Sequence, residues 1–190
     1  MKTTNLNFLI TTCLIVLFVG CKDNANNVQD TSTAPVSNEA PARQGQAFIV
    51  DDEATPNILQ IAIGSPDHTT LVAAVQAAQL ENALVNAGPL MVFAPTNEAF
   101  AALPAGTVED LLKPENKDKL AFILKNHVTP GNYSKDFLKK FKKLGQANGE
   151  DVAIEVIGDD VFVGGAKIIA SVPAGNGIVH VVDKVILPAN

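Results

Sequence analysis

The sequence has no tryptophan and a single tyrosine, Tyr133. Flat aromatic rings are the usual platforms on which sugar rings stack, so this scarcity disfavours a lectin-like mechanism. Histidine is almost as rare. His68, His127 and His180 are the only three, and no two stand at the H-x-x-x-H spacing that places a pair of zinc ligands on one helix face. No serine sits in a G-x-S-x-G elbow, which removes that route to a nucleophile. The stretch "GDDVFVGGAKI" (158–168) has glycines and a lysine, but Ile168 follows the lysine where a phosphate loop needs Ser or Thr. It reads as a hairpin. Acidic pairs such as Asp51–Asp52 and Asp159–Asp160 fall at turns, where solvation is a better account than catalysis. Acidic residues outnumber basic ones by 20 to 14, an unsuitable balance for a nucleic-acid partner.

Long apolar runs are also scarce. The run "FLITTCLIVLFV" (8–19) follows Lys2 and falls short of the roughly 20 apolar residues that a spanning helix needs. Its length is that of a secretory leader. It ends in "LFVGC", which resembles the lipobox of bacterial lipoproteins, with Phe18 where Leu is usual. That resemblance implies a signal peptide at 1–20, cleaved before a lipidated Cys21. An ordinary secretory leader with a coincidental cysteine is the alternative. Cys13 would leave with the leader, so the mature chain would hold neither a disulfide nor a catalytic thiol. Lys22 after the cysteine resembles lipoproteins sorted to an outer membrane. The expected location is therefore the cell envelope, at the periplasmic face or the cell surface, with membrane contact only through the anchor. The segment after Cys21, up to residue 46, is rich in Asn, Ser, Thr, Pro and Ala, too polar to order itself. As a coil this tether would span roughly 25–30 Å.

One domain fits residues 47–188. "PNILQIAIGSPD" predicts a short helix closed by Gly64. "DHTTLVAAVQAAQLENALVNAG" predicts a longer one, with Asp67 as N-cap, Leu71, Val75 and Ala78 on one face, and an end at 86–88. "PLMVFAP" reads as a buried strand, after which Thr96 caps a short helix through "NEAFAAL". "TVEDLL" and "PENKDKLAFILKNHV" read as further helices, the second with Leu120, Ile123, Leu124 and His127 on one stripe. "EDVAIEVIG", "DVFVGG" and "AKIIASV" alternate or run apolar between Gly and Asp turns, and the opening stretch is expected to complete the set of strands. Helices precede strands, which argues for an α+β fold.

Two clusters invite a chemical reading. In "GNGIVHVVDKVILPAN" (175–190) a histidine and an aspartate sit in an apolar run. Successive strand residues point to opposite faces, so His180 and Asp183 cannot be partners within one strand. A core histidine satisfied by a carbonyl, and a carboxylate tying down a turn, is the favoured reading over catalysis. His127 on its apolar stripe is read the same way, whereas His68 is expected to be exposed; whether His127 and His180 meet in space stays open. The second cluster is "YSKDFLKKFKKLG", where Lys135, Lys139, Lys140, Lys142 and Lys143 surround Phe137, Leu138, Phe141 and Leu144. The spacing is helical and suits anionic lipid or polysaccharide, the alternative being a solvated helix end.

Two stretches carry a resemblance. "LMVFAPTNEAFAAL" (90–103), with Phe93, Ala94, Pro95, Thr96, Asn97 and Phe100, resembles the first signature of fasciclin domains. "NGIVHVVDKVILP" (176–188), with Asn176, Gly177, His180 and Asp183, is similar to the second. Between them "LKNHVTPGNYS" resembles the family's central histidine segment through His127, Pro130 and Gly131, and "IAIGSPDHTTLVAAVQAAQL" reads like its opening helices. The resemblance implies a single α+β domain, a β-sandwich or wedge with several packed helices and the two signature strands close together. It implies a non-catalytic role in adhesion or in contact with extracellular or envelope proteins, or matrix polysaccharide, without cofactor or metal. Asn126 stands where many members have Tyr before the central histidine, so the receptor binding linked to that pair in animal relatives is not carried to His127. A binding domain for a small lipophilic ligand such as a carotenoid, as in some photosynthetic relatives, is the alternative.

Overall fold

The computed structural model describes residues 55–86 and 88–188. The expected leader, Cys21, the tether and the opening stretch to residue 54 lie outside the described residues. Among the described residues no helix is long and apolar enough to cross a membrane.

The helical half begins with α1 (Ile58–Ile63), held by a capping box. Asn57 Oδ1 accepts from the Gln60 amide, Gln60 Oε1 accepts from the Asn57 amide, and Gly64 closes the helix. The long helix expected after it is broken. A 3-10 turn at Pro66–His68 leads into α2 (Thr69–Ala77), and α3 (Glu81–Asn86) follows as a separate helix. Gln79 adopts a left-handed φ of 56°. The Gln79 amide donates to Gln76 O and the Leu80 amide to Val75 O, both at 3.0 Å. This is a Schellman stop with glutamine in the position glycine usually fills. Nor does Asp67 cap α2. That role falls to Asn97, whose Oδ1 accepts from the Thr70 amide at 3.0 Å and from Thr69 Oγ1 at 3.2 Å.

Strand β1 (Leu90–Pro95) and the short helices α4 (Asn97–Ala101) and α5 (Thr107–Leu111) come next, then a 3-10 turn and α6 (Lys117–Lys125). Thr96 caps α4 as expected, accepting from the Ala99 amide. The strand half comprises β2 (Val128–Pro130), the single-turn helix α7 (Lys135–Leu138), β3 (Lys143–Gly145), β4 (Asp151–Ile157), β5 (Asp160–Val163), β6 (Ala166–Ala174) and β7 (Gly177–Val182). These strands form one sheet in the order β2-β1-β7-β6-β5-β4-β3. Every neighbouring pair is antiparallel except β1 and β7, which run parallel from Leu90↔Gly177 to Pro95↔Val182. The two signature strands are thus hydrogen-bonded neighbours. The sheet rolls until its edges meet. The Ala147 amide, just past β3, donates to Val128 O in β2 at 2.7 Å, and Thr129 Oγ1 donates to Gln146 Oε1 at 2.9 Å.

Alternation along β1 and β7 divides the interior in two. Leu90, Val92, Ala94 and Val179 face the helices and pack with Ile58, Leu71, Val75, Leu120, Ile123 and Leu124. Met91, Phe93, Ile178 and Val182 face into the roll, with Val152, Ile154, Val161, Val163 and Ile168. Both strand faces are apolar because both are covered. The pairing begins at Gly177, where an added Cβ would stand 1.8 Å from Leu90 O, with backbone as the obstacle. Gly177→Ala should therefore cost about 4 kcal/mol, the upper range for a single substitution, read as a lower midpoint in chemical denaturation; an unchanged midpoint would contradict the register.

Candidate functional site

The closing strand resolves the first chemical question. His180 is fully buried. Its Nε2 lies 2.9 Å from Tyr133 O and its Nδ1 2.7 Å from Ser171 Oγ. A carbonyl accepts only, so Nε2 carries the proton and Nδ1 accepts from the serine hydroxyl. The ring stacks on Phe93 at 5.7 Å between centroids. Asp183 is exposed and turned elsewhere. Its Oδ1 accepts from the Lys167 amide at 2.7 Å and pins the start of β6. His180 and Asp183 are not partners.

His127 is buried at the end of α6. Its Nδ1 lies 2.9 Å from Ile123 O and its Nε2 accepts from the Ile186 amide at 2.9 Å. The preceding Asn126, wholly buried, donates from Nδ2 to Ile186 O at 3.1 Å and receives Asn148 Nδ2 at its Oδ1. Two adjacent side chains thus grip both backbone polar groups of one residue near the C-terminus. His127 and His180 reach different partners, although both adjoin Phe93: its amide donates to His127 O at 2.8 Å while its ring meets His180.

His68 is a correction. It is buried, not exposed, with Ser65 Oγ at 2.8 Å from Nδ1 and its ring beside the Ala94 backbone. The ring sits at the end of the 3-10 turn that Pro66 begins, next to Ala94 near the end of β1. Burial lowers the pKa of all three histidines, and for His127 it does so down to about 4. Among the described residues no three His, Cys, Asp or Glu gather in a way that could hold a metal ion.

The remaining signature residues hold the framework. Asn176 accepts from the Ile58 amide and donates to Leu84 O, tying α1 and α3 to the head of β7. Asn97 joins α4 to the start of α2. Gly131, at φ 122°, donates to Pro89 O beside Pro130, and an added Cβ there would meet the Tyr133 ring at 2.8 Å. Pro95 ends β1 opposite Val182, and Phe100 packs against the helix-side core.

The lysine cluster also needs correcting. Its apolar spacing is helical, but only Lys135–Leu138 is helix, and Lys143 already belongs to β3. Three of the five lysines face carboxylates: Lys135 with Asp160 at 3.9 Å, Lys139 with Asp136 at 3.0 Å and Lys143 with Asp151 at 2.6 Å. Lys140 lies 4.8 Å above the Phe137 ring, a cation–π geometry. Lys142 has no ion pair among the described residues. Composition could not show that Tyr133, Phe137 and Phe141 converge, with centroids 5.3–5.5 Å apart. The few aromatic rings of this chain are not evenly spread; these three form a knuckle beside the unpaired lysines.

An apolar cavity of about 210 Å³ lies on the other side of the sheet, between α1, α2, α3, α6 and the helix-facing residues of β1 and β7. Sixteen of its eighteen lining residues are aliphatic; the others are Lys125 and His127.

The histidine geometry gives two predictions. A histidine held neutral below its ordinary pKa makes the unfolded chain the stronger proton acceptor on acidification. The stability this adds is whole above the unfolded pKa of 6.5 and drains as pH falls towards about 4, amounting to about 3 kcal/mol for His127. Denaturation midpoints should decline steadily across that window, and a flat profile would contradict neutral buried rings. His180→Ala should remove about 2 kcal/mol by orphaning Ser171 and Tyr133 and opening a void, measured as a lower melting temperature.

The comparisons with known proteins agree with this geometry. The family model of the fasciclin domain matches residues 66–188. The chain is 49% identical to Protein sll1483 of Synechocystis sp. over 147 residues, which is 75% of this chain and 81% of that one. It is 34% identical to the transforming growth factor-beta-induced protein ig-h3 of Sus scrofa over 77% of its own length and 22% of that protein's. Among solved structures, a FAS1 domain pair from the insect cell adhesion molecule Fasciclin I superposes with a TM-score of 0.60 at 16% identity, over 71% of this chain and 52% of that one. The rolled sheet, its parallel signature strands and the matched residues together make this chain a member of the fasciclin domain family.

Proposed function

We propose that this chain is an exported protein of the cell envelope, anchored by lipid at Cys21, whose fasciclin domain holds extracellular or envelope proteins and catalyses no reaction. The observation that carries the reading is a division of labour among its polar side chains. His127, His180, Asn126, Asn176 and Asp183 all spend their hydrogen bonds on the chain itself. What faces outward is Phe137, 40% exposed, seated on the half-buried rings of Tyr133 and Phe141 and flanked in the chain by Lys140 and Lys142. An exposed aromatic ring beside cations is typical anchor chemistry for protein interfaces. An acidic protein surface is the partner such a knuckle fits, and an anionic matrix polysaccharide would meet the same lysines. The relationship to an adhesion molecule in an insect supports the same class of role.

The ion pairs decide which lysines to test. Replacing Lys139 or Lys143 would also leave a carboxylate unpaired, and Lys135 shares Asp160 with Lys167, whereas Lys140 and Lys142 carry the surplus charge. Lys140→Gln with Lys142→Gln should weaken binding to native envelope or matrix fractions roughly three- to tenfold and flatten its salt dependence. Capture that is equal in parent and variant would reduce the knuckle to a solvated face. If the parent chain binds no envelope or matrix fraction, the adhesion reading fails.

A further inference from the structure

The helix-side cavity has a chemical character of its own. Its wall is aliphatic from three sides, with Leu71 and Val75 from α2, Leu84 from α3, and Val92 and Val179 from the sheet. His127 adds no hydrogen-bonding capacity, since both its ring nitrogens are already engaged. Lys125 is different. It is exposed at the last turn of α6, it lines the cavity, and it has neither ion pair nor hydrogen bond among the described residues. Ala83 and Ala147 are exposed and also line it, so the cavity opens to solvent. The site is therefore a greasy slot with Lys125, an exposed cation, as its one charged lining residue.

Size narrows the ligand. An apolar cavity of about 150 Å³ suffices in another protein to take up benzene, while drug-sized ligands occupy roughly 300–1,000 Å³. At about 210 Å³ this slot encloses a short alkyl chain or a single ring and is too small to enclose a long polyene. A neutral hydrocarbon would leave Lys125 unused. A carboxylate at the end of the chain would use it: the tail gains apolar burial and the head stays at the surface beside the ammonium. We propose that the cavity binds a medium-chain alkyl carboxylate, tail inward and carboxylate on Lys125. The cavity lies across the sheet from the aromatic knuckle, and its ligand is independent of the adhesion reading.

Octanoate and 1-octanol are the probes, titrated to millimolar concentrations into the purified chain and followed by calorimetry and by methyl resonances. Octanoate should bind one-to-one, with shifts concentrated at Val75, Leu84 and Val179. Lys125→Glu, a surface change, should weaken octanoate about tenfold by turning attraction into repulsion and leave octanol unchanged. Val75→Phe, which fills the slot, should weaken both probes. No saturable binding by the parent would overturn the proposal, as would equal losses for octanoate and octanol in Lys125→Glu. Shifts spread over the roll or the aromatic knuckle would overturn it too. Should Val75→Phe fail to fold, the two probes on Lys125→Glu still decide the matter.

Discussion

The parallel pairing of β1 with β7 is the constraint on which the rest of the molecule depends. Parallel neighbours need a long connection between them, and here that connection is nearly the whole domain. Because helices cover one face of the pair and the rolled sheet covers the other, both strands must be apolar on both sides. Any polar residue placed within them has to find its partners in the interior. His180 does so through Ser171 on β6 and the Tyr133 carbonyl in the loop between β2 and α7, and this accounts for a histidine in the middle of a core strand.

The same logic explains why the conspicuous polar residues of this chain are ties. Asn97, Asn126, Asn176 and Asp183 each bond backbone groups that no helix or strand ladder satisfies. An unpaired backbone group under cover costs about as much as a lost hydrogen bond. Small amides and carboxylates close those gaps at helix ends and strand ends. A residue pattern that identifies the fold is therefore one that records where the backbone runs out of its own partners. The aromatic knuckle and the lining of the slot lie largely outside that pattern.

Much of this was legible along the chain. The alternating or apolar runs of β4 to β7 and the cap at Thr96 are local signals, and strand parity already separated His180 from Asp183. What escaped was set by distant partners. Gln79 stops α2 in a conformation that sequence rules assign to glycine, so one helix was expected where there are two. His68 looked exposed because the strand end that covers it is remote in sequence. The helical spacing of Phe137, Leu138, Phe141 and Leu144 spans a turn and a strand, since Leu138 and Leu144 serve the core while the two phenylalanines stack with Tyr133. β2 and β3, three residues each, are too short for periodicity to register. The slot is invisible in sequence, being an absence shared among several elements.

The grip of Asn126 and His127 on Ile186 has a consequence for how the molecule comes into being. Ile186 fills the roll against Gly164, where an added Cβ would meet its Cγ2 at 2.5 Å, and its backbone locks the end of α6. Neither core can close before the last residues of the domain exist, because β7 lies beside β1 and Ile186 comes after β7. A nascent chain lacking its final strand would hold helices with no sheet to cover and an open edge along β1. Synthesis from the N-terminus thus delivers an incomplete fold until β7 and Ile186 have been made.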